Sequence, residues 1–121
     1  MLLVWMLGCH SKDSGDTDTI CVSNPALSYE NFGKGFLDRY CTGCHSSLVP
    51  VTNRNGAPEG VDFNDYRRVI TWRERILIRT LDTTSPMPPG TGPSQTEFDL
   101  LTEWIGCQVE SDAATLTGET P

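Results

Sequence analysis

Residues 39–47 read RYCTGCHSS and bring Cys41, Cys44 and His45 together in a chain of 121 residues that holds five cysteines and two histidines. Two thiols three residues apart at a helix end can reach one edge of a porphyrin while the next imidazole swings under the iron, so C-x-x-C-H is the pattern of covalent haem attachment. A zinc site needs a second pair of ligands at comparable spacing, and the other histidine, His10, stands in a polar stretch well before the motif. A thioredoxin-like redox pair needs a strand before it in a βαβ setting, which the flanking sequence does not offer. The residues therefore point to one covalent haem c on Cys41 and Cys44, with His45 as an iron ligand.

Outward from the motif, the pattern is helical. Before it, SYENFGKGFLDRYC carries Phe32, Phe36, Leu37 and Tyr40 at helical spacing behind Ser28, a natural N-cap. After it, residues 46–60 are rich in Gly, Pro and Asn and read as a loop. Asp62 is the expected cap of a segment in which Tyr66, Val69, Ile70, Ile76, Leu77 and Leu81 form one or two helices. DTTSPMPPGTGPS then interrupts all regular structure. Ser94 and Glu97 make a capping box for a last helix, with Phe98, Leu101, Trp104 and Ile105 on its apolar face and an expected end near Gly106 and Cys107. No stretch alternates as a strand does, so the fold class is all-α. Residues 108–121 read as a disordered tail.

At this size a single domain has a thin core, and a disulfide, metal or large cofactor is expected to help hold it. The net charge is −7, yet between Ser28 and Cys107 eight basic side chains face ten acidic ones, so the acidity lies mainly in the flanks. That balance argues against a nucleic-acid binder.

Residues 1–8, MLLVWMLG, are apolar and stop at Cys9, after which the chain is small, polar and acidic. This resembles the end of a bacterial lipoprotein signal, cut before a cysteine that receives lipid. Residues 9–20 then serve as a flexible tether, and the domain spans residues 21–107. Lipid on Cys9 implies attachment to a membrane in the periplasm or outer cell envelope.

A haem iron held by one histidine needs a partner on its other face, and methionine is among those proteins use. With the signal removed, Met87 is the one methionine left, and Pro86, Pro88 and Pro89 stiffen its loop. His10 competes from the tether. The bland alternative is a methionine filling a gap under a loop.

Taken together, residues 28–107 resemble a class I monohaem c-type cytochrome: a helix running into C-x-x-C-H, a loop, middle helices, an M-P-P loop and an aromatic-bearing last helix. The resemblance implies first and last helices that cross around the haem, with Gly33 and Phe36 against Trp104 and Ile105. It implies His45 and Met87 as axial ligands, and Pro50 as a source of the carbonyl that orients His45. If the helices cross in that way, Cys21 and Cys107 can meet in a disulfide, which suits an oxidising compartment. The function implied is that of a monomeric carrier of single electrons between redox proteins of the cell envelope, not an enzyme. The alternative is a haem-bearing subunit, or an enzyme or sensor whose sixth iron position is open to peroxide or a diatomic gas.

Five arginines, Arg67, Arg68, Arg73, Arg75 and Arg79, fall in the middle helical segment. A solvated face paired with Asp65, Glu74 and Asp82 explains them in the ordinary way. The sharper alternative is that one or two bind haem propionates or an acidic redox partner.

Overall fold

The computed structural model describes residues 20–118, and within them the chain is all-helical, with no strand. The expected signal, Cys9, His10 and nearly all of the tether lie outside the described residues. A wide π-helical turn, Tyr29–Gly33, leads into α1, Lys34–Tyr40. The long α2 is Tyr66–Leu81, and α3 is Gln95–Trp104. A second π-helical turn, Ile105–Val109, joins α3 to α4, Glu110–Thr117. No helix among the described residues is long and apolar enough to cross a membrane.

Local chemistry explains most helix starts. Ser28 and Asn31 cap the first turn reciprocally, and Ser94 and Glu97 cap α3 in the same way. For α2 the cap is Asp65, whose carboxylate accepts from the Arg67 N–H, and not Asp62. Asp62 is drawn instead into an ion pair with Arg54, at 2.6 Å. The segment after it forms one helix.

The core gathers Phe36 and Leu37 from α1, Phe63 from the loop, Val69, Ile70 and Ile76 from α2, and Leu101 and Trp104 from α3. Each such side chain, fully buried, contributes roughly 1.5–3 kcal/mol from the apolar surface it removes from water. The first helical segment and α3 meet where Gly33 lies under the Trp104 indole: a Cβ at Gly33 would fall 2.2 Å from Cζ2 of that ring. Only a residue without a side chain permits this approach. Around it, Tyr29, Tyr66 and Phe32 surround Trp104 with ring centroids 6.1–6.5 Å away, the spacing at which aromatic rings attract.

Residues beyond Cys107 do not form the expected tail. The helix continues through Gln108 to Thr117, with Val109 fully buried and Ala113 nearly so. Gly106 does not stop it, because its backbone stays out of the left-handed region; the terminator is Gly118, at φ 74°. The extension is tied back to α2 by Tyr66, whose hydroxyl donates to Asp112 at 2.6 Å, and by Arg73, which pairs with Glu110 at 2.8 Å.

At the other end, Cys21 and Cys107 form a disulfide that closes an 86-residue separation. Beside it, both carboxylate oxygens of Glu103 are engaged: the Val22 and Ser23 N–H groups donate to one, and the Ser23 hydroxyl to the other. The lead-in is thus stapled twice, by a covalent bond to the π-helical turn that carries Cys107 and by hydrogen bonds to Glu103 of α3.

Candidate functional site

The end of α1 sets up the motif. Cys41 and Thr42 N–H both donate to the Leu37 carbonyl, and Cys44 and His45 N–H both donate to the Cys41 carbonyl. One tight turn therefore carries both thiols and the imidazole off the same helix terminus. All three side chains line a single cavity of about 370 Å³, within the range of cofactor and ligand sites.

The cavity also collects residues distant in sequence. Helix α2 supplies Trp72, Arg75, Ile76 and Arg79, the loop before it supplies Val61 and Phe63, and the proline-rich loop supplies Met87. That last loop is held by a bond from Met87 N–H to the Arg79 carbonyl at 3.0 Å. Asp82 shapes its start by accepting from Thr84 and Ser85 N–H, and those donors hold its carboxyl below the usual carboxylate range. Met87 itself is 36% exposed. The structure thus brings Cys41, Cys44, His45 and Met87 to one cavity, and Cys21 and Cys107 to one bridge away from it.

His45 is oriented by the backbone. Its Nδ1 lies 2.9 Å from the Val61 carbonyl oxygen, so the tautomer with a proton on Nδ1 makes the bond and leaves the Nε2 lone pair free. The Phe63 ring stacks on the imidazole at 4.9 Å, and Phe63 N–H donates to the His45 carbonyl. The expected source of the orienting carbonyl, Pro50, does not serve: it precedes a short 3₁₀ turn, Val51–Asn53, and its carbonyl accepts from Asn53 N–H. A backbone carbonyl has no sequence signature, so only the path of the loop decides which one arrives.

Arg54 is the residue that sequence reading missed. It was one basic residue among eight, yet it is 2% exposed and its guanidinium contacts the carbonyls of Ser46, Ala57, Pro58 and Val61 besides Asp62. These bonds hold the Gly-, Pro- and Asn-rich loop in one shape. The signal available in sequence was the one basic residue of the loop spanning 46–60, followed eight positions later by Asp62.

Burial pushes the Cys41 thiol up to about 12, from an ordinary 9.0, so the free thiol is protonated near neutral pH. Among the described residues, no three His, Cys, Asp or Glu side chains converge as a metal-binding group.

The arginines divide. Arg73 pairs with Glu110 and Arg79 with Asp82, which is the ordinary explanation, although Glu110 was not among the expected partners. Arg75 and Arg79 also border the cavity, whereas Arg67 and Arg68 do not.

Comparisons of the chain with family models, with curated proteins and with solved structures find no match in any of the three.

Proposed function

We propose that this chain is a monohaem c-type cytochrome that carries single electrons between redox proteins of the cell envelope. The observation that supports the reading most is the meeting of the Cys41-Thr-Gly-Cys44-His45 turn and the Met87 loop at one cavity. The donor set fits the group: two thiols for thioether attachment, an imidazole with a free Nε2 and a thioether sulfur as axial ligands. When bound, the group supplies a reversible one-electron couple.

The chain's own residues do the rest. Cys41 and Cys44, whose N–H groups donate to the Leu37 and Cys41 carbonyls, would hold the cofactor's edge at the end of α1. His45 keeps its ring orientation through Val61, so that little rearranges when the charge at the iron changes. Phe63, Trp72 and Ile76 give the cavity a largely apolar wall, a setting that favours the less charged, reduced state. Arg75 and Arg79 offer cations at the border for the carboxylates of the cofactor or of a partner. If His45 and Met87 both hold the iron, the site would transfer electrons and leave no open position for peroxide or gases.

The Cys21–Cys107 bridge supports an oxidising compartment. In this reading Cys9, outside the described residues, takes lipid and holds the carrier at a membrane, and the protein acts as a monomer.

The test is export of the full chain in a host with a haem c attachment system. The reading expects a coloured protein whose mass includes one covalent haem. It expects a long-wavelength thioether-to-ferric-iron band when oxidised, and no carbon monoxide adduct when reduced. A colourless product sinks the haem assignment. A coloured product without the band that binds carbon monoxide supports an open-site enzyme or sensor instead.

A further inference from the structure

The oxygen that orients His45 has a second neighbour. The Val61 carbonyl lies 2.9 Å from His45 Nδ1 and 3.3 Å from the Nη2 nitrogen of Arg54, so one acceptor serves an imidazole and a buried cation together. Arg54 also donates through Nη1 to the carbonyl of Ser46, the residue directly after His45, at 2.5 Å. The guanidinium thus grips the chain on both sides of the imidazole: at the next residue along and at its hydrogen-bond acceptor.

We propose that Arg54 is a positioning residue for His45 and that its charge, balanced by Asp62, tunes the donor strength of the imidazole. The inference rests on the reading of His45 as an iron ligand. A cation beside a carbonyl oxygen draws off electron density, so that oxygen accepts more weakly from Nδ1–H and the imidazole gives less electron density through Nε2. Such a ligand favours the reduced iron. Asp62 opposes the effect from 2.6 Å of the same Nη2 nitrogen. Arg54 is suited to this work because its planar fork satisfies several carbonyls at once and it keeps its charge when buried. A lysine has neither the fork nor the reach to several acceptors.

The two partners of the pair predict opposite signs. In the full-length, haem-loaded protein, Arg54→Gln lowers the midpoint potential, read as a fall on the order of threefold to tenfold in the ratio of reduced to oxidised protein at the wild-type midpoint. Asp62→Asn, which leaves the cation unbalanced, raises that ratio. Arg54→Lys keeps the charge and gives up the fork: its midpoint stays nearer the wild type, but the His45 Nδ1 proton, followed by NMR in the reduced protein, exchanges with solvent faster. If Arg54→Gln does not yield folded protein, Asp62→Asn and Arg54→Lys still decide the matter. General loosening of the loop would move both charge variants in one direction. That result, or midpoints and Nδ1 exchange that do not move, overturns the proposal while the haem reading stands. A wild-type protein without haem overturns both.

Discussion

The two ends of the first helical segment meet opposite conditions. At Gly33 the backbone lies directly against the Trp104 indole, with Phe32, Tyr29 and Tyr66 around it, and protein atoms complete the packing. At Cys41 to His45 the same chain emerges onto a cavity whose other walls come from loops and one face of α2. The first end is fixed by shape, where a single methyl group is too much. The second is fixed by hydrogen bonds to carbonyls, chiefly through Arg54 and His45. Close packing makes a rigid frame, while the hydrogen-bonded loops leave a cavity beside the turn of Cys41, Cys44 and His45.

The sharpest way to break this contrast is to remove the thiols. Cys41→Ala with Cys44→Ala is expected to abolish covalent haem completely, read as loss of colour after denaturing extraction, while the Cys21–Cys107 bridge still forms, as a thiol assay on the purified chain would show. Removing the bridge instead, with Cys21→Ser and Cys107→Ser, is expected to cost about 2–5 kcal/mol in denaturant unfolding, with an unchanged haem spectrum in the folded protein. Gly33→Ala attacks the packed end: the indole must shift, at about 1–3 kcal/mol, and the axial-ligand spectrum again stays as it was.

Tyr66→Phe is smaller, about 1 kcal/mol for one hydrogen bond, and carries a pH signature. Burial first, and then the bond to Asp112, raise the phenol above its ordinary 10.0. Because the folded value is the higher, the protonated tyrosine's contribution is complete below 10 and is lost as pH rises through the folded value. The variant should flatten that alkaline fall in stability. Glu103 gives the smallest effect, of opposite direction. The Ser23 N–H above all holds its carboxyl below the ordinary 4.5, so its contribution is present above that value and fades as pH drops through the folded one. Glu103→Gln should reduce the acid dependence of unfolding and leave alkaline behaviour alone.

What sequence revealed follows the same division. The motif, the Ser28 cap, the Ser94–Glu97 capping box and the apolar faces of the helices are short-range patterns, legible because their physics acts within one or two turns. The approach of Gly33 to Trp104 and the Cys21–Cys107 bridge came through resemblance, and both are present. Asp62 was misread as a cap because its partner, Arg54, reaches it only through the folding of a loop. The helix beyond Cys107 was missed for a different reason. Gly106 suggested a stop, and the four-residue spacing of Ile105, Val109 and Ala113 went unused although it marks a buried face. Val61 had no sequence signal at all, since its role belongs to a carbonyl that every residue owns.

The double staple at Cys21 and Ser23 has a mechanical consequence. A pull on the segment that precedes Ile20 is delivered to Cys107 and Glu103, not to the turn that carries Cys41 and Cys44. If the domain is then drawn apart from its two ends, the segment between Cys21 and Cys107, 86 positions apart, cannot lengthen until the bridge is reduced. Tension applied at the N-terminal segment is therefore borne by the bridge and by Glu103, and the cavity-lining turn is spared.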